Sequence, residues 1–158
     1  PLMHVIAAKA VAFKMAMQPE FKAYQQQIVV NSKLLAQELA QRGYRLVSGG
    51  TDNHMSLVDL TSKGITGKEA QVLLERVNIT INKNLIPYDP LPPAQASGIR
   101  LGTPAITSRG IKEPQIEVIA RLIDDAIVHR TDEAGLAKVK QEVALITKEF
   151  PLYPKQGI

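Results

Sequence analysis

"SGIRLGTPAIT", residues 97–107, sets one arginine inside an apolar run. The pattern Gly-Ile-Arg-Leu-Gly predicts a short strand, in which Ile99 and Leu101 belong to a core. A guanidinium beside a core is costly unless it meets a partner. That partner is either a carboxylate of the protein or one brought by a ligand, and the residue types leave both open. The planar fork of Arg100 can grip a carboxylate through two parallel bonds. Gly98 and Gly102, two positions to either side, leave room for a small ligand at the strand backbone. Thr103-Pro104 is expected to end the strand sharply.

Outward from this strand, the chain reads as alternating helices and strands. Residues 20–42 form a helix with Tyr24, Ile28, Leu35 and Leu39 on one side and Gly43 as its stop. "YRLVSGG" and "HMSLVDL" are strand candidates joined by a polar turn. "TGKE" at 66–69 has the form of a capping box. It opens a helix with Ala70, Leu73, Leu74 and Val77 at i, i+3, i+4 and i+7. "NITIN", residues 78–82, predicts a strand. Residues 84–98 make a loop holding Pro87, Pro90, Pro92 and Pro93, a length that suggests a functional or mobile segment. Residues 113–129 form a helix with Ile116, Ile119, Ala120, Ile123 and Ile127 inward. A last helix, from about 132 to 149, sets Leu136, Val139, Val143 and Ile146 on one face, and Pro151 ends it. The order implies an α/β sandwich: a small mixed or antiparallel sheet with helices packed on it, and a long N-terminal helix.

That first helix, "LMHVIAAKAVAFKMAM" after Pro1, is apolar nearly all round, with only His4, Lys9 and Lys14 interrupting it. Such a helix requires burial on every side, so the chain is expected to be a piece of a longer protein. Its 158 residues suffice for one domain with a real core. A net charge of +4 without any Lys/Arg run or aromatic–basic stripe argues against nucleic acid as a partner. No run of about 20 apolar residues predicts a membrane span, and no signal peptide is visible. The lack of cysteine excludes disulfides and thiolate metal sites, and fits a cytoplasmic location.

The remaining polar motifs are weaker. His4, His54 and His129 have no metal-ligand spacing around them. His129, near a helix C-terminus, reads as a surface residue suited to the dipole. His54, after "TDN", reads as a turn-stabilising hydrogen-bonding group. "SGG" at 48–50 reads as a plain turn before it reads as an anion cradle. No Ser/His/Asp elbow or phosphate-binding glycine loop is present.

"SGIRLGTPAITSRG" closely resembles the signature near the C-terminus of the serine hydroxymethyltransferase family. So do "GGTDNH" at 49–54, "TGKEA" at 66–70, "NITINKN" at 78–84 and the opening "PLMHVIAAKAVA". The blocks occur in the family's order and cover essentially the whole chain. The resemblance implies a fold-type-I enzyme that uses pyridoxal 5′-phosphate and interconverts serine and glycine, with tetrahydrofolate carrying the one-carbon unit. It implies a homodimer, or a dimer of dimers. Residues 1–19 would be the helix leading out of a large cofactor-binding domain, and residues 20–158 the C-terminal small domain. Arg100 matches the family arginine that binds the substrate carboxylate. Asn84 matches the asparagine that contacts the folate pterin. Pro92, Pro93 and Ala94 match a second folate-contacting stretch, but depart from the Ser-Pro-Phe found in some relatives. Backbone contacts survive that departure, whereas side-chain contacts do not. Asp52 and His54 belong to a family motif and are read as structural.

The family's Schiff-base lysine lies in a Thr-Thr-His-Lys motif, which this chain lacks. The glycine pair that reaches a neighbouring subunit's cofactor phosphate would sit just before Pro1, and it too is absent. Two other classes fit parts of the pattern. An aminotransferase-like enzyme of the same fold type also uses a small-domain arginine, but "NITINKN" and "GTDNH" argue against it. A non-catalytic folding or dimerisation module is the second. The missing lysine motif predicts that the chain as given does not convert serine to glycine. Treatment with pyridoxal phosphate and borohydride should leave no stoichiometric, site-specific adduct by mass spectrometry. One uniquely modified lysine together with turnover would overturn this.

Overall fold

A computed structural model of the chain describes residues 1–153. Among these, six helices and four strands follow in the order α1 (Met3–Ala16), α2 (Pro19–Gln41), β1 (Arg45–Leu46), β2 (Met55–Asp59), α3 (Gly67–Arg76), β3 (Asn82–Asn84), β4 (Gly98–Gly102), α4 (Pro104–Ser108), α5 (Glu113–Val128) and α6 (Glu133–Glu149). The strands form one sheet of order β1-β2-β4-β3, antiparallel throughout. The architecture is therefore α/β with a small antiparallel sheet, the second of the two sheet types expected.

The core lies between one sheet face and the helices. Leu46, Val58, Ile99 and Leu101 supply the sheet side. Leu35 and Leu39 of α2, Leu73 and Leu74 of α3, and Ile116, Ala120, Ile123 and Ile127 of α5 supply the helical side. Leu136, Val139 and Val143 dock α6 behind α5. Most inward positions match the helical periods read from the sequence. The exceptions are Tyr24, Ile119 and Ile146, which stay half-buried.

Helix ends are set by local chemistry. Thr66 and Glu69 form the expected capping box: Glu69 N–H donates to Thr66 Oγ1 at 3.2 Å, and Thr66 N–H to Glu69 Oε2 at 2.8 Å. Gly43 ends α2 with φ +83°, and the N–H of Tyr44 bonds back to the Leu39 carbonyl. Asn78 performs the same office for α3. Its φ is +63°, its N–H donates to Glu75, and that of Ile79 donates to Leu74. This cap corrects the strand predicted over "NITIN": pairing starts only at Asn82, opposite Arg100. "YRLVSGG" is likewise cut short. Only Arg45 and Leu46 pair, because Ser48, Gly49 and Gly50 all take positive φ. Pro104, at a first helical turn, starts α4, which the sequence reading did not anticipate.

A polar network pins α2 to the segment after β4. The buried Asn31 amide donates to Thr107 Oγ1 and to the Ile111 carbonyl, both at 2.9 Å. Thr103 Oγ1 donates to the Ile28 carbonyl at 2.8 Å. Buried polar groups this well satisfied hold their elements in one arrangement.

The proline-rich segment between β3 and β4 is organised around Asp89. Oδ2 accepts from the N–H groups of Ile86 and Ser97, and Oδ1 from the Leu91 N–H and the Ser97 hydroxyl. Gln95 and Ala96 carbonyls then accept from the first N–H groups of α3. Partial desolvation alone would raise the Asp89 carboxyl. The bonds from Ser97, Leu91 and Ile86 outweigh it and hold the carboxyl well below the ordinary range. A depressed carboxyl stabilises the fold fully above its unfolded value and loses that contribution as pH falls toward the folded one. Asp89→Asn should therefore be less stable than wild type at pH 7. In denaturant titrations the gap should narrow below about pH 4, where an unfolded aspartate protonates. A gap that stays constant down to pH 3 would show that ionisation of Asp89 plays no part.

Helix α1 has no buried residue. Leu2, Met3, Val11, Phe13, Met15 and Met17 are each at least 60% exposed. Full burial of such a side chain is worth roughly 1.5–3 kcal/mol. The isolated chain should therefore self-associate through this helix, and a variant starting at Gln18 should not. Sedimentation velocity distinguishes the two, and a monomeric full chain at high micromolar concentration would refute the expectation.

Candidate functional site

The sheet face turned away from the core follows from the strand period of two. Ile99 and Leu101 point inward, so Arg100 points outward. On that outer face it lies between Leu57 of β2 and Asn82 of β3. Asn84 shares the face, directly opposite Gly98 and thus on the diagonal from Arg100. Diagonal neighbours of this kind stand about 7–8 Å apart. Arg45 and Asp59 complete the face toward β1.

Arg100 is exposed and, among the described residues, has neither an ion pair nor a side-chain hydrogen bond. The protein carboxylate left open by its sequence context is thus not there. The acid on its own face, Asp59, is already engaged: Arg45 Nε donates to Oδ2 at 2.6 Å, and the Thr61 N–H and hydroxyl donate to Oδ1. Burial pushes the Asp59 carboxyl up, but the Thr61 and Arg45 bonds outweigh it and leave it lowered. Asp59 therefore stays an anion committed to Arg45.

The Arg100 side chain borders a cavity of about 300 Å³ with His54, Thr80, Asn82, Met55, Ile81 and Gly102. The room foreseen beside the two glycines exists only at Gly102, where a Cβ would sit 3.7 Å from the His54 carbonyl oxygen. Beside Gly98 the space is filled. A Cβ there would lie 2.8 Å from Ile86 Cγ2 and 2.9 Å from the Val58 oxygen. Gly98 is thus a packing glycine.

The expected folate residues divide. Asn84 is half-buried, and its Nδ2 donates to the Leu85 carbonyl at 2.7 Å, leaving Oδ1 unengaged among the described residues. Pro92, Pro93 and Ala94 are exposed on the Asp89 loop. The Pro92 carbonyl accepts from Gln95 and Ala96 N–H groups, so it is committed to the loop's own turn. None of these three, nor Asn84, borders the Arg100 cavity. The structure therefore places Arg100 and Asn84 on one sheet face, and the proline stretch on the loop between β3 and β4, outside the cavity lining.

His54 does not stabilise its turn through the imidazole. Thr51 Oγ1 donates to the Met55 carbonyl at 2.6 Å, and Asn53 Oδ1 accepts from the Met55 N–H. His54 instead borders the Arg100 cavity. Asp52 is exposed, and His129 caps α5 at the surface, as expected. The sequence reading missed Asn82 as a neighbour of Arg100. Its two-residue offset from Asn84 within one strand was the available signal.

Among the described residues, no group of three or more His, Cys, Asp or Glu could hold a metal ion. No described helix is long and apolar enough to cross a membrane. A family profile described as serine hydroxymethyltransferase matches residues 1–123. A serine hydroxymethyltransferase of Myxococcus xanthus is 56% identical over 153 residues, covering 97% of this chain and 37% of the relative. Those of Legionella pneumophila, strains Corby and Lens, are each 55% identical with the same coverage. This chain thus spans little more than a third of the length of the curated relatives it matches. Its signature blocks and these likenesses agree: the chain belongs to the serine hydroxymethyltransferase family.

Proposed function

We propose that this chain is the substrate-gripping portion of a serine hydroxymethyltransferase, and that Arg100 holds the carboxylate of serine or glycine. The supporting observation is the unpartnered guanidinium on the outer sheet face, beside a cavity. Its one same-face acid is engaged elsewhere. A ligand carboxylate would supply the missing partner through two parallel bonds. The proposed reaction is the reversible conversion of serine and tetrahydrofolate to glycine and 5,10-methylenetetrahydrofolate.

Residues 20–158 act in this reading as the small domain of a fold-type-I enzyme, and residues 1–19 as the helix joining it to the large domain. The apolar surface of α1 then meets that domain or the second subunit of a homodimer. Pyridoxal phosphate, when bound, supplies the electron sink for breaking bonds at the amino-acid Cα. The Arg100 cavity has no lysine in its lining, so attachment of the cofactor belongs to other parts of the enzyme. The work of this chain is positional. Arg100 fixes the carboxylate and so orients the bonds at Cα. Asn84, with Oδ1 unengaged, offers an acceptor to the pterin ring of the folate. Pro92, Pro93 and Ala94 contribute surface to the folate site, not backbone hydrogen bonds from Pro92.

The test is to titrate glycine and tetrahydrofolate separately against Arg100→Ala and Asn84→Ala in the full-length enzyme. Arg100→Ala should abolish glycine binding with or without folate. Asn84→Ala should weaken tetrahydrofolate about tenfold to a hundredfold, the cost of leaving buried polar groups unpaired. Glycine binding without folate should be untouched by it. Equal weakening of glycine and folate by Asn84→Ala would mark that residue as scaffold. Normal glycine binding by Arg100→Ala would remove the carboxylate assignment.

A further inference from the structure

Two arginines stand on the outer face of the sheet, and the register gives each a residue directly opposite on a neighbouring strand. Arg45 of β1 faces Asp59 of β2. Arg100 of β4 faces Asn82 of β3 on one side and Leu57 of β2 on the other. Side chains at such positions start about 4.5–5.5 Å apart at Cβ. Aspartate and asparagine share one heavy-atom shape, so the two polar pairs differ chiefly in charge.

At Arg45 that charge is used. Nε donates to Asp59 Oδ2 at 2.6 Å, and the guanidinium is committed to an acid of the chain. A short acid directly opposite an arginine in this sheet therefore reaches its Nε. At Arg100 the same place holds an amide, which brings no charge. Asn82 is exposed. The side-chain hydrogen bonds on β3 involve the Lys83 N–H and the Asn84 amide, and among the described residues none involves Asn82. Holding β3 in place thus does not account for an amide at this position. Asn82 does border the cavity that Arg100 borders.

We propose that Asn82 is a specificity-determining residue for the carboxylate that Arg100 binds: it keeps the position opposite the guanidinium polar but uncharged, so that position 82 does not claim the charge of Arg100. The inference rests on the reading of Arg100 given above, and Asn82 acts through that arginine. An acid in its place would pair with Arg100 Nε as Asp59 pairs with Arg45. The same acid would repel an incoming carboxylate. Like charges a few ångströms apart at a partly covered surface shift an equilibrium by about tenfold or more.

The test titrates the full-length holoenzyme with glycine by calorimetry, comparing Asn82→Asp, Asn82→Ala and Arg100→Ala with wild type. Asn82→Asp preserves shape and adds charge, whereas Asn82→Ala removes the amide and adds none. Asn82→Asp should weaken glycine about tenfold or more beyond any effect of Asn82→Ala. Both should melt within about 2 °C of wild type, as exposed positions do. A crystal structure of Asn82→Asp should show Arg100 Nε within about 3 Å of the introduced carboxylate. Glycine binding by Asn82→Asp equal to wild type overturns the proposal. So does equal weakening by Asn82→Asp and Asn82→Ala, which would make the amide itself, not its neutrality, the required group. Weakening with the introduced carboxylate turned away from Arg100 overturns it too, because the effect would not run through that arginine. Normal glycine binding by Arg100→Ala fails the carboxylate reading and this proposal with it. Loss of binding in Arg100→Ala beside full binding in Asn82→Asp fails the proposal alone.

Discussion

The constraint on which the rest depends is the two-residue period of the central strand β4. Ile99 is wholly buried against the helices and Leu101 nearly so, which leaves Arg100 no direction but the opposite face. A slip of one residue would bury a guanidinium and expose two large aliphatic side chains, so the register is strongly determined. The pairing partners inherit it: β2 and β3 flank β4, and their outer faces carry Leu57, Asn82 and Asn84 beside the arginine. At Gly98 the backbone is approached so closely that a Cβ on Gly67 would overlap its carbonyl oxygen. The start of α3 is thereby set against the strand that bears Arg100.

Around this strand, polar groups are divided between holding and waiting. Asp59 neutralises Arg45, Asp89 gathers the loop, and Asn31 with Thr103 and Thr107 ties α2 to α4. Each is satisfied within the chain, and each immobilises the segment it belongs to. Arg100 and the Asn84 carbonyl oxygen are left without such partners among the described residues. A rigid frame with a few unengaged groups suits ligand recognition, because binding then orders little else.

Much of this was legible from local patterns. The capping box at Thr66–Glu69, the stop at Gly43 and the inward faces of α5 and α6 depend on neighbours within a turn or two. They could be read before any packing was known. The errors share one cause. "NITIN" has strand-like residues, but the end of α3 claims Asn78 and Ile79 for a cap, and a cap and a ladder compete for the same N–H groups. Ser48 and the two glycines curtail β1 in the same way, through backbone conformation and not hydrophobicity. Of the candidate site, Arg100 and Asn84 were recognisable from the family's signature blocks. The role of Gly98 was misread, since Ile86, which fills its space, is twelve residues away in sequence.

By itself the sequence determined the family, the α/β class and the faces of its long helices, because these rest on residue order and short-range periodicity. It also marked Arg100 as a charge needing a partner. Only the tertiary structure decided that no residue of the described chain is that partner. Whether an arginine meets an acid depends on which distant strands lie beside it, and β1 had already brought Arg45 to Asp59.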